Sequence, residues 1–195
     1  MAIIYLVRHG RVSETPEDAN DPELAAIGRD QARQLAADLD ARLESPLPIL
    51  TSPMRRCRET SAPLAELWRM PVQLESRVIE VPSPSHSVTG RRAWLNQLFE
   101  STWGEAEARA HPGQDGFGPI LRAWREGVCE AILSIERDSV ICSHFVPLNV
   151  VVGAALAQDR VICFRPDNAS LTVVDNSEGR IRLIELGREM VTRVV

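Results

Sequence analysis

Short runs of β-forming residues alternate along this chain with longer segments of helical period, and that alternation limits the fold more than any other feature. Ile3 to Val7 is the first run. A polar loop from Arg11 to about Ala26 leads to a helix expected from Gly28 to Leu43, with Ala32, Leu35, Ala36 and Leu39 on one face and Arg29, Asp30, Arg33 and Asp38 on the other. L-P-I-L-T reads as a short buried strand, and Thr51-Ser52-Pro53 as a helix start with Ser52 as cap and Pro53 at the first position. That helix turns Cys57, Ser61, Leu64 and Trp68 inward, and Pro63 should kink or split it. P-V-Q-L is expected as a third strand.

The alternation lapses between Glu80 and about Pro119, where V-P-S-P-S-H-S-V-T-G and H-P-G-Q-D-G-F-G-P are loop-rich. One helix is expected between them, about Arg91 to Trp103, with Trp94, Leu95, Leu98, Phe99 and Trp103 on a packing face. Residues 81–119 thus read as a lid-like insertion in a single domain spanning residues 1–195. The pattern then resumes with a helix from Ile120 to Ile135, the strand S-V-I-C, and a helix from Pro147 to about Leu156. S-L-T-V-V-D and R-I-R-L-I-E-L flank N-S-E-G as a hairpin. The expected fold is an α/β three-layer sandwich with a mostly parallel central sheet and an antiparallel C-terminal edge hairpin.

Composition narrows the function classes. A net charge of −5 argues against general nucleic-acid binding, so any anion site must be local. The 22 basic residues contain no lysine, which removes a Schiff-base lysine and the phosphate loop that ends in Lys. Cys57, Cys129, Cys142 and Cys163 form no C-x-x-C pair and read as reduced, buried thiols. The N-terminal apolar run is too short for a signal peptide, and the stretch from Val146 to Ala157 is interrupted by Pro147 and Asn149 and short of a membrane span. The expectation is a cytoplasmic protein with no membrane and no nucleic-acid partner.

Ligands of open α/β sheets bind beyond the carboxyl ends of the strands. The first strand ends at Arg8-His9, the second is followed by Ser52 and Arg56, the third by Glu80, and S-V-I-C by Ser143-His144. Each residue alone has an ordinary structural reading. Together they suit phosphoryl chemistry: two guanidiniums can grip phosphate oxygens, a helix start at Pro53 adds N–H groups, a neutral imidazole can attack phosphorus, and a protonated carboxyl can give a proton to the leaving oxygen. His86 and His111 read as surface residues. Arg91 and Arg92 read as a solvated helix start that could also meet an acidic substrate.

These residues resemble the motifs of the histidine phosphatase superfamily, also called phosphoglycerate mutase-like. Y-L-V-R-H-G is similar to its signature, L-A-A-I-G-R-D-Q-A to its L-T-x-x-G-x-x-Q-A segment, and T-S-P-M-R-R-C-R-E-T-S-A to S-S-P-x-x-R-A-x-x-T-A, which aligns the motif Arg with Arg56. R-V-I-E aligns the acid with Glu80, I-C-S-H aligns the second histidine with His144, and R-P-D-N-A-S-L-T-V-V-D resembles the closing strand. The resemblance implies a metal-independent phosphoric monoester hydrolase of the histidine acid phosphatase type, without cofactor. It implies a phosphohistidine on His9, phosphate held by Arg8, Arg56 and His144, and Glu80 as proton donor, acting on a small phosphorylated substrate as monomer or homodimer.

Three departures stand out. The loop reads R-V-S-E-T-P where relatives often carry Asn, so Ser13 or Thr15 would substitute; Phe145 replaces a common Gly; and V-P-S-P follows Glu80 in place of G-x-W-E-G. N-E-R-x-Y-G, frequent in mutases, is absent, which favours a phosphatase over a mutase-type phosphotransferase. The competing readings are a Cys142–His144 nucleophile pair, a metal hydrolase built on His9, Glu80 and His144, and a non-catalytic phospho-ligand binder.

Overall fold

The computed structural model describes residues 1–13, 21–85, 87–109 and 116–190. Strand β1 (Ile3–Arg8) precedes helix α1 (Ala26–Arg42), β2 (Ile49–Thr51), α2 (Arg55–Trp68) and β3 (Val72–Leu74). After a single 3₁₀ turn come α3 (Val88–Phe99), α4 (Trp103–Ala108), α5 (Phe117–Leu133), β4 (Ser139–Ser143), α6 (Phe145–Leu156), β5 (Leu171–Asp175) and β6 (Arg182–Glu185). Among the described residues the strands form one sheet in the order β3-β2-β4-β1-β5-β6. β3, β2, β4 and β1 run parallel, while β5 is antiparallel to both β1 and β6. The expected mostly parallel sheet with its terminal antiparallel hairpin is what the chain forms.

Alternation within the strands divides the core. Ile4, Leu6, Ile141 and Val174 face the cluster built with α3, α5 and α6, whereas Tyr5, Val7, Val140, Cys142 and Val173 face α1 and α2. Successive side chains of a strand point to opposite faces, so one sheet supports two helical layers. Burial of these aliphatic groups is the main favourable term holding the layers together. On the α1–α2 side Trp68 also donates its indole N–H to Asp40 Oδ1 at 2.8 Å, tying the end of one helix to the other.

Several boundaries differ from expectation for identifiable reasons. α2 begins at Arg55, not at Pro53, and its first turn is capped from a distance: both oxygens of Asp21 accept from the Arg55 N–H, at 2.8 and 2.9 Å. Ser52 does not cap this helix. Pro63 lies inside α2 without splitting it, because Cys57, Ser61, Leu64 and Trp68 hold the helix along its buried face. The expected helix from Arg91 to Trp103 is two helices. α3 starts at Val88, capped by Ser87 Oγ, and Trp103 opens α4, whose start is a capping box between Thr102 and Glu105.

α5 starts at Phe117, three residues before Ile120, after Gly116 with φ 91°, and Ile120 itself is 56% exposed. α6 is buried through most of its length, and its Asn149 is satisfied by accepting from the Cys163 and Phe164 N–H groups at 2.7 and 3.0 Å. Cys57 and Cys142 are buried but Cys129 and Cys163 only half so, all four as free thiols. No helix among the described residues is long and apolar enough to cross a membrane.

Candidate active site

The parallel register builds the site. Arg8 pairs with Ser143 and Thr51 with Cys142, so β1, β2 and β4 end at one level. Beyond that level the His9 N–H donates to the Ser143 carbonyl at 3.0 Å, and the Ser52 N–H to the Cys142 carbonyl at 2.9 Å. His9 and His144 therefore leave adjacent strands together, and their rings meet edge to face with centroids 5.3 Å apart. Both are buried.

Each ring is held by its neighbours. His9 Nδ1 lies 2.8 Å from the Gly10 carbonyl, which can only accept, so Nδ1 carries the proton and Nε2 presents a lone pair. His144 Nε2 lies 2.7 Å from Ser52 Oγ, with Cys57 Sγ at 3.4 Å. Burial, then the Arg56 charge, pulls His9 down to about 3. His144 is likewise held well below the ordinary histidine range by burial, Arg56 and His9. Both imidazoles are neutral near pH 7.

Arg56 is the residue that projects from α2 into this group, while Arg55 turns away into a surface network with Glu23 and Glu59. Its Nη1 lies 3.4 Å from Asp21 Oδ1. The same Asp21 caps α2, so the N-terminus that seemed open to an anion at Pro53 is already occupied by a carboxylate. Glu80 arrives after the 3₁₀ turn Ser76–Val78, anchored where Ser143 Oγ donates to the Val78 carbonyl at 2.7 Å. Its Oε1 accepts from the Val146 N–H at 3.3 Å in the first turn of α6 and from its neighbour Val81 at 3.0 Å. Burial raises the Glu80 carboxyl above the usual range, against the opposing pull of those N–H groups and of Arg56 and Arg91.

Two glycines make the assembly possible. A Cβ on Gly10 would stand 2.7 Å from the Gly28 carbonyl oxygen, and one on Gly28 only 2.0 Å from the carbonyl oxygen of Arg11. Gly10 thus serves the close passage of the first loop over the start of α1. The Gly10 N–H then donates to Thr60 Oγ1 at 3.0 Å, and Thr60 in turn donates to the Arg56 carbonyl at 2.7 Å.

The sequence model of the histidine phosphatase superfamily (branch 1) matches residues 4–189. The chain belongs to this superfamily. It is 28% identical over 207 aligned positions to phosphoserine phosphatase 1 of Hydrogenobacter thermophilus, covering 95% of this chain and 92% of that one. Its fold is similar to that of YhfR from Bacillus stearothermophilus, with a TM-score of 0.75 at 20% identity over 98% of both chains. A mycobacterial glucosyl-3-phosphoglycerate phosphatase is also similar, with a TM-score of 0.68 at 23% identity over 97% of this chain and 100% of that one.

Within this histidine phosphatase superfamily member, all five residues singled out from sequence, Arg8, His9, Arg56, Glu80 and His144, lie at one sheet edge. Thr15, His86 and His111 fall outside the described residues, and Ser13 is tied by its N–H to the Glu23 carbonyl at 2.9 Å. Trp94 and Trp103 are buried in the core, in edge or tilted contact with Phe117 and Trp124.

The thiol facing His144 belongs to Cys57, not Cys142, and burial pushes it well above the usual thiol range, so it is a poor nucleophile. Among the described residues no three His, Cys, Asp or Glu side chains converge to hold a metal. Sequence reasoning missed Asp21, Thr60 and Asn168, whose Nδ2 donates to the His9 carbonyl at 3.1 Å. Thr60 and Asn168 lie inside quoted motifs, so their positions were visible though their tasks were not.

Proposed function

We propose that this chain hydrolyses a small phosphomonoester through a phosphohistidine on His9. The observation that carries the reading is the His9 tautomer: Nδ1–H is fixed on the Gly10 carbonyl, and the unprotonated Nε2 sits beside the neutral His144 and within the field of Arg8 and Arg56. A neutral imidazole nitrogen is the nucleophile, and guanidiniums that are buried, as Arg56 is, or half-buried, as Arg8 is, stabilise charge on the phosphoryl oxygens more effectively than they would in water. Membership of the superfamily and the names of the similar phosphatases support it.

In this reading Arg8, Arg56 and His144 hold the phosphate while His9 Nε2 attacks phosphorus and the ester P–O bond breaks. Glu80, protonated because burial raises it, gives its proton to the departing oxygen. The resulting carboxylate takes a proton from water as that water attacks the phosphohistidine, and inorganic phosphate leaves with His9 restored. Every step uses side chains of this chain, which makes the enzyme a metal-independent phosphoric monoester hydrolase of the histidine acid phosphatase type. The described part of residues 81–119 is read as a lid within one domain; the packing of Phe99 from α3 against Phe145, with ring centroids 5.5 Å apart, supports this.

The test is phosphate release from a panel of phosphomonoesters that begins with phosphoserine and a phosphoglycerate derivative, using wild type, H9N and E80Q. Release by wild type and its loss in H9N are expected. Equal turnover by H9N would overturn the proposal.

A further inference from the structure

The charged groups around the site are held in two different ways. Arg55 and Arg29 are locked to carboxylates, and even Arg56 has Asp21 beside it. Arg8 differs: it is half-buried and, among the described residues, makes no ion pair with a carboxylate, the charges of Glu80 and Asp167 acting on it only from farther off. Its Nη1 donates to the Pro166 carbonyl at 2.7 Å and approaches Met190 Sδ at 3.4 Å. Its guanidinium carbon lies 5.1 Å from the centre of the Phe145 ring, and its Nε is buried without a partner.

A carbonyl, a thioether and an aromatic face can orient a guanidinium, but none cancels its charge. A cation so held, with no carboxylate in contact, is left available to an incoming anion. Phe145 is itself fixed, since it opens α6, is 8% exposed, packs on Phe99 and accepts from Asn149 Nδ2 through its carbonyl at 3.0 Å. We infer that Phe145 is a positioning residue, whose ring sets the plane of the Arg8 guanidinium for the phosphoryl group without neutralising it. The inference rests on the proposal that Arg8 grips phosphate. It also gives Phe145, where relatives often carry Gly, a task of its own.

The experiment titrates inorganic phosphate into wild type, F145L, F145Y, R8A and the double variant R8A/F145L by calorimetry, with a thermal melt of each. Leu fills the space without a π face, so F145L should weaken phosphate binding about three- to tenfold, the size expected of one partly desolvated cation–π contact. F145Y, which keeps the face, should bind within about twofold of wild type by the same reasoning. F145L should cost nothing further in the R8A background. If F145L fails to fold, F145M is measured in its place.

Wild-type affinity in F145L, an equal loss in F145Y, or a full additional loss in R8A/F145L would each overturn the role given to Phe145. Unchanged phosphate binding by R8A alone would instead overturn the phosphate-binding role of Arg8.

Discussion

Ser52 Oγ stands 2.7 Å from His144 Nε2, inside a space so closed that both residues are 0% exposed. A residue placed to cap a helix instead steadies an imidazole, because β2 pairs directly with β4, Thr51 against Cys142, so that Ser52 follows beside the end of the strand that delivers His144. S52A should therefore lower kcat/KM about tenfold, the scale of one buried hydrogen bond, while leaving the melting temperature within a few degrees of wild type. Steady-state kinetics beside a thermal melt checks this. Unchanged kinetics would mean that His144 holds its place without the hydroxyl.

The pH profile should be bell-shaped and lie on the acid side. His9 is neutral above about 3, and Glu80 keeps its proton to a pH above its usual 4.5, so the attacking form occupies the interval between them. E80Q should cost on the order of 100-fold in kcat and abolish the alkaline limb. A flat wild-type profile, with chemistry limiting the rate, would contradict both assignments.

Stability carries a matching signature. His9 and His144 titrate in the folded chain below the ordinary value of 6.5, so the unfolded chain binds more protons in that window. Folded stability should then fall as pH drops from 6.5 towards 3, by about 1.4 kcal/mol per pH unit for each histidine at most. Denaturant melts of H9N should show a shallower acid slope than wild type. The raised Glu80 contributes the opposite slope above 4.5 and is best separated by repeating the melts in E80Q.

Two glycine substitutions should have opposite effects. G28A drives a methyl to 2.0 Å from a backbone oxygen and should cost on the order of 3 kcal/mol. G127A, inside α5 with nothing within 4 Å of the added carbon, should stabilise by about 0.5 kcal/mol. Equal stability of the two variants would contradict the close passage of the first loop over α1.

Iodoacetamide and the C57A variant address the thiol. Cys57 is buried with its thiol pushed up, so alkylation of the native protein should be slow and C57A should keep activity within about twofold. Loss of activity in either would revive a cysteine mechanism.

What was legible in sequence is what depends on local pattern. Alternating runs of period two and 3.6 fixed the strands and the helices around them, and the rule that ligands gather at strand ends brought Arg8, His9, Arg56, Glu80 and His144 together. The features that escaped depend on contacts between distant parts of the chain. The Asp21 cap of Arg55 spans 34 positions, Phe145 under Arg8 needs α6 laid across β1, and Ser52 turns to His144 across 92. The break between Phe99 and Trp103 was locally encoded by Thr102 and Glu105 as a capping box, but a continuous aromatic stripe concealed it.

The most direct measurement is rapid acid-free quenching of wild type mixed with its phosphorylated substrate, followed by mass spectrometry of the peptide that contains His9. An acid-labile phosphoryl group on His9, formed before phosphate release and absent from H9N, is the predicted result. A phosphoryl group on another side chain, or phosphate release at full rate with none on His9, would contradict it.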